Sequence, residues 1–199
     1  AQRGHEVTVI ASHPRSVFLA DKNSTVRPGG DTGVTVIRVN TLHYKRVSYL
    51  FRGISELLLP FFFLRKLRTS GPRKIDVVMM YSPPLTLTIL GRMVKRSYRA
   101  RFIVNIQDIF PQNAIDLGIL RNRALIRFFE HLERKAYSAA DRITTHSKQN
   151  AEYLIKKKDV PRNRTSTVHN WIDLSPYKEA KRTGVFVQRY GLEGKFIFL

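Results

Sequence analysis

Cysteine is absent from the 199 residues, acids are scarce, and no long apolar run occurs. Without thiols the chain forms no disulfide and no thiolate metal site, which fits a reducing compartment. The 15 Asp and Glu stand against 35 Lys and Arg, a formal charge of +20; the pI is about 10.7. An excess this large points to an anionic partner: nucleic acid, an anionic membrane or a phosphorylated substrate. The longest apolar run, Leu57–Leu64, has eight residues with a proline inside it, whereas a membrane-spanning helix needs about 20. The six histidines (His5, His13, His43, His131, His146 and His169) show no paired spacing on one face, so no metal site is expected.

What is present is an alternation. Strand-like runs rich in Val, Ile, Thr or Phe are expected at 7–12, 35–40, 75–81, 101–106, 142–146 and 164–168. Helical patterns are expected at 54–67, 85–95, 124–139 and 148–157. Strands alternating with crossover helices predict an α/β, Rossmann-like three-layer domain whose mostly parallel sheet is covered on both faces. The opening "AQRGHEVTVI" reads as the tail of a helix, a stop at Gly4 and a strand; "GKFIFL" at the close reads as a strand beginning. The expected organisation is a Rossmann-like domain over 1–175, lacking its first strand and helix. Residues 176–199 are expected to form a linker and the start of a second domain.

In such sheets ligands bind outside the carboxyl ends of the strands. Three segments fall there. The first is the loop Ala11–Gly33, with its prolines, glycines and small polar residues, which includes His13. The second is "NIQDIFPQNA", where the β-branched run Phe102–Val104 delivers Gln107 and Asp108 to a strand end. One reading makes Asp108 a helix cap with Pro111 opening the helix; the other makes Gln107 and Asp108 a polar pair facing a ligand. The third is "MYSPPL", either a plain turn or a place where Tyr81 and Ser82 donate hydrogen bonds to a hydroxyl-rich ligand. Further on, Asp141 precedes a strand, Ser147 caps a helix, and another strand runs into Asn170-Trp171-Ile172-Asp173.

The charge is concentrated in Tyr44–Lys74, which joins apolar and aromatic residues to eight Lys and Arg and a single acid. A core helix broken by Pro60 with solvated charges accounts for it. So does a helix pair at a membrane interface, with Arg46, Arg52, Phe61, Phe62, Phe63, Arg65, Lys66 and Arg68 in contact. Five more cations follow in Gly91–Arg101. Nucleic acid competes for the same charge, but the aromatics form one apolar run and do not interleave as stacking platforms, so membrane is favoured.

Taken in order, "AQRGHEVTVI", "YSPPLTL", "NIQDIFPQNAIDLGIL", "ERKAYSAADRITTHS" and "VHNWIDLSPY" resemble the N-terminal domain of retaining family-4 glycosyltransferases of GT-B architecture. They are most similar to bacterial enzymes that build surface polysaccharides such as O-antigen, capsule or colanic acid. The resemblance implies two Rossmann-like domains facing a cleft, the acceptor held mainly by the N-terminal one and a nucleotide sugar mainly by the other. It implies catalytic positions at Asp108 and Gln107, acceptor contacts at Tyr81, Ser82 and His13, and a donor side bordered by Ser147 and Asn170. Gln107 stands where many relatives carry a His. A nucleotide-sugar co-substrate, no metal, a lipid-linked glycan acceptor and a peripheral place on the inner face of the cell membrane are implied as well. The family's Gly-rich loop and Glu-containing donor motif are absent, so this chain alone is expected to fold without transferring sugar. The competing reading is a basic Rossmann-like module that binds nucleotide or nucleic acid and transfers nothing.

Overall fold

The computed structural model describes residues 4–14, 26–27, 33–41, 49–174 and 184–196. The chain divides into two compact units, Ala1–His169 and Asn170–Leu199.

The first unit is a mostly parallel α/β, Rossmann-like fold, as the alternation predicts. Strand β1 (Val7–Pro14) pairs in parallel with β3 (Val34–Thr41), whose other edge takes the short β2 (Val26–Arg27) antiparallel. Helix α1 (Tyr49–Ser70) then leads to a parallel sheet of β4 (Val77–Ser82), β5 (Arg101–Ile106), β6 (Arg142–Thr145) and β7 (Thr165–Thr167), in that spatial order. Its crossovers are α2 (Leu87–Tyr98), α3 (Gln112–Asp116) with α4 (Arg123–Ala139), and α5 (Lys148–Lys157). Each strand lies beyond the last, and right-handed crossovers stepping one way put their helices on one face. Among the described residues β1 and β4 each have a strand partner on one side only.

The strand period of two fixes what is buried. Phe102, Val104 and Ile106 of β5 and Ile143 of β6 point into the helix layer, where Leu132, Ala136 and Tyr137 of α4 and Leu154 of α5 meet them. A second cluster joins Val39 of β3, Leu59, Phe63 and Leu67 of α1, and Leu90 and Val94 of α2; Ile10 of β1 and Val78 and Met80 of β4 pack against it. On the opposite face Val77, Met79 and Tyr81 are exposed. The Asn122 carboxamide oxygen caps α4 by accepting from the N–H groups of Ala124 and Leu125. The Ser147 hydroxyl caps α5 by accepting from that of Asn150.

Three expectations are corrected. Pro60 does not break the helix: α1 runs unbroken from Tyr49 to Ser70 with Pro60 inside it. A mid-helix proline costs roughly 3 kcal/mol, but Leu59, Phe63 and Leu67 flank it on one buried face, and their packing holds the helix together. That face also removes Phe63, only 6% exposed, from membrane contact, while Phe62 is half-buried against the same cluster. Of the three phenylalanines Phe61 alone is exposed. Lastly, the loop expected over Ala11–Gly33 is partly strand, since β1 continues to Pro14 and β2 adds to the free edge of β3. The remainder of that loop, the side chains of His13 and Arg52, and Arg46 lie outside the described residues.

In the second unit a single helical turn, α6 (Val185–Arg189), follows Gly184, whose φ of 66° is in the left-handed region. The rings of Phe186 and Tyr190 stack 6.0 Å apart. Lys195 and Phe196 form no strand; Ile197–Leu199 lie outside the described residues.

Candidate functional site

All four strands of the larger sheet end at one rim. The β4–β5 register aligns Tyr81 with Asn105 and Ser82 with Ile106, so "YSPP" and "QDIFP" leave the sheet side by side. The Ser82 carbonyl ties them: it accepts the Gln107 N–H at 2.9 Å and lies 3.5 Å from the Asp108 nitrogen. The Ser82–Pro83, Pro83–Pro84 and Phe110–Pro111 bonds are all cis.

The side chains at this junction have distinct roles. Asn105 is 7% exposed, and its carboxamide oxygen accepts from the Gln107 Nε2, fixing which way the Gln107 amide faces. Tyr81 is 58% exposed, open to a ligand. Ser82 is not: the pleat turns it toward the helix layer, where it is 3% exposed, so the expected hydroxyl contact with an acceptor is replaced by the structural role of its carbonyl.

Asp108 is exposed, and among the described residues its carboxylate has no hydrogen bond or ion pair. Its backbone carbonyl accepts the Phe110 N–H at 3.0 Å. Asp108 therefore does not cap α3, which has no side-chain cap, while Pro111 does stand at the helix start, directly before Gln112. What remains is a carboxylate at the strand-end rim that has no partner among the described residues and can accept a hydrogen bond from a hydroxyl or face a positive charge.

The next two strand ends add residues that sequence reasoning passed over. After β6, the Thr145 hydroxyl donates to the Ser147 carbonyl at 2.9 Å, and Ser147 caps α5. After β7, the Val168 N–H bonds the Thr145 carbonyl at 2.8 Å, and the His169 Nδ1 lies 2.9 Å from the His146 carbonyl oxygen. A carbonyl only accepts, so His169 carries its proton on Nδ1, and when neutral it has Nε2 as an acceptor. The His146 Nδ1 is buried without a hydrogen-bond partner among the described residues. A signal was there: "TTHS" and "TVHN" repeat Thr, a spacer, His and a polar residue at two strand ends. Asn170 is exposed and belongs to the second unit. Among the described residues no three His, Asp or Glu side chains converge as a metal site.

Charged groups away from the rim are structural. At the opposite end of the sheet, Asp141 bonds the Lys95 ammonium at 2.9 Å and the Phe102 N–H at 2.8 Å, joining α2 to the starts of β5 and β6. Burial opposes its charge, but the Phe102 N–H and the Lys95 ammonium outweigh it and hold its carboxyl below the usual range. Glu133, 1% exposed, takes the Lys158 ammonium at 2.9 Å and the Tyr137 hydroxyl at 3.0 Å. Burial, and then the Glu133 carboxylate, pushes the Tyr137 phenol well above its ordinary value.

A parallel sheet with its crossover helices and its polar strand ends gathered at one rim is a Rossmann-like domain. This chain belongs to the glycosyl transferase 4-like domain family, whose profile it matches over residues 1–171. It is 27% identical over 123 residues to a protein of Pseudomonas aeruginosa named "Probable glycosyltransferase WbjE". That match covers 61% of this chain and 30% of the relative, so the chain corresponds to a fraction of the length of the curated protein it resembles.

Proposed function

We propose that this domain is the acceptor side of a retaining glycosyltransferase, which moves a sugar from a nucleotide-sugar donor to a growing, lipid-linked surface glycan at the inner face of the cell membrane. The observation that carries the reading is the exposed Asp108 carboxylate at the rim, without a partner among the described residues and next to Gln107 and the exposed Tyr81, in a chain of this family. The relative's printed name supports glycosyl transfer and says nothing of the acceptor.

The chemistry explains why a lone carboxylate belongs there. Sugar transfer passes through an oxocarbenium-like state while negative charge grows on the departing diphosphate. Asp108 meets the first need, either by facing the positive charge or by orienting the acceptor hydroxyl. The departing phosphate helps take the acceptor proton, so no protein nucleophile or metal is called for. Tyr81 and the Gln107 amide supply hydrogen bonds to a hydroxyl-rich acceptor. The nucleotide sugar is bound mainly by a second domain.

The test is product analysis. The full-length protein, given a panel of nucleotide sugars and lipid-linked acceptors, is expected to form a glycoside with the donor's anomeric configuration. The 199-residue chain alone should show neither transfer nor micromolar donor binding by calorimetry. An inverted product would overturn retention, and tight donor binding by the isolated chain would overturn the division of labour.

A further inference from the structure

The outer face of α1 presents apolar side chains to solvent. Ser55, Leu59, Phe63 and Leu67 turn inward at four-residue spacing. The opposite side holds Ile54, Leu57, Leu58 and Phe61, between 37% and 54% exposed. Arg65 and Arg68 continue that side, both exposed. The outer face is thus apolar for about two turns and cationic beyond. A helix facing water carries polar residues there, and single exposed apolar residues need no explanation whereas four neighbouring ones do.

We infer that the outer face of α1 seats on an anionic phospholipid surface, with Ile54, Leu57, Leu58 and Phe61 in the acyl boundary and Arg65 and Arg68 over the lipid phosphates. Charge complementarity selects this occupant: the chain carries +20, Arg65 and Arg68 extend the stripe, and its one acid, Glu56, is half-buried. No helix among the described residues is long and apolar enough to cross a membrane, so the contact is a surface one. The contact stands apart from the proposed function; only its use in meeting a lipid-linked acceptor rests on that reading.

The absence of cysteine makes the test clean. Leu58→Cys, Phe61→Cys and, on the exposed side of α4, Arg134→Cys are each labelled with an environment-sensitive nitrobenzoxadiazole and mixed with vesicles of phosphatidylcholine containing phosphatidylglycerol. Emission at 58 and 61 should rise at least twofold and shift to the blue, with no change at 134. Ile54→Ser with Phe61→Ser should cut vesicle binding at least tenfold without moving the melting temperature. Failure to bind anionic vesicles, binding with the probes at 58 and 61 unchanged, or a vesicle-independent blue shift showing that a second copy covers the face, would each overturn the inference. Vesicle binding that survives while transfer to a lipid-linked acceptor fails would instead count against the acceptor reading.

Discussion

Asp108 separates structural from chemical duty because the geometry has removed its structural alternative. An exposed acid with no partner contributes little to stability, so Asp108→Ala should leave the melting temperature nearly unchanged, within about 0.5 kcal/mol. Asp108→Asn keeps the size and removes the charge. In the full-length protein it should weaken transition-state stabilisation by about 2.7–4 kcal/mol, the scale of one lost electrostatic stabiliser. That is about a hundredfold or more in turnover. Measuring turnover and melting on both variants checks the pair of expectations, and near-normal turnover in Asp108→Asn would leave the charge without a catalytic role. At this scale the sequence was partly legible. Gln107, Asp108 and Tyr81 were visible because a β-branched run ending in polar residues before a proline marks a strand's carboxyl end. His146 and His169 were not singled out, because their proximity depends on β6 and β7 being neighbours. The Lys158–Glu133 pair spans 25 residues and was invisible for the same reason.

Among the elements, β5 and α5 have the boundaries their patterns predict, Arg101–Ile106 and Lys148–Lys157, because a charged or capping residue marks each start. Helix α1 was misjudged, since proline grammar is local and the packing that overrides it is not. Gly91 in α2 shows the reverse, a local choice made for a distant neighbour. A Cβ there would run into the Phe102 ring, itself fully buried, so the missing side chain is what lets α2 lie close on β5. Helix propensity alone predicts that Gly91→Ala stabilises by about 1 kcal/mol. The clash predicts destabilisation of about 1–3 kcal/mol, and we expect the clash to win because neither the helix backbone nor a fully buried ring can yield without disturbing the core. Urea denaturation of the variant gives the sign directly.

For the whole molecule the informative variable is pH. Because the folded carboxyl of Asp141 is held below its unfolded value near 4, its contribution to stability is complete above that value and fades as pH falls through the lower folded one. Wild type and Asp141→Asn should therefore differ most in melting temperature above pH 5, and the two curves should converge in stronger acid; a gap independent of pH would mean that the charge of Asp141 is not the stabilising feature. The fold class was legible at this scale because crossover topology follows from the alternation of periods alone. How the strands divide between two sheets was not, because edge pairing leaves no mark in a sequence.

That division bears on how copies of the chain behave together in solution. Along the edge that has no strand partner among the described residues, β4 offers a row of backbone donors and acceptors, and "VVMMYS" contains none of the charges or prolines that ordinarily discourage strand-to-strand association. What separates the copies is the charge of +20 acting at long range. Its reach shrinks from about 10 Å at 0.1 M salt to about 3 Å at 1 M. Raising the ionic strength therefore does two opposite things to this molecule: it loosens the cationic hold on a lipid surface, and it lets bare strand edges find each other. The chain is best kept dispersed at low salt, where its mutual repulsion is strongest.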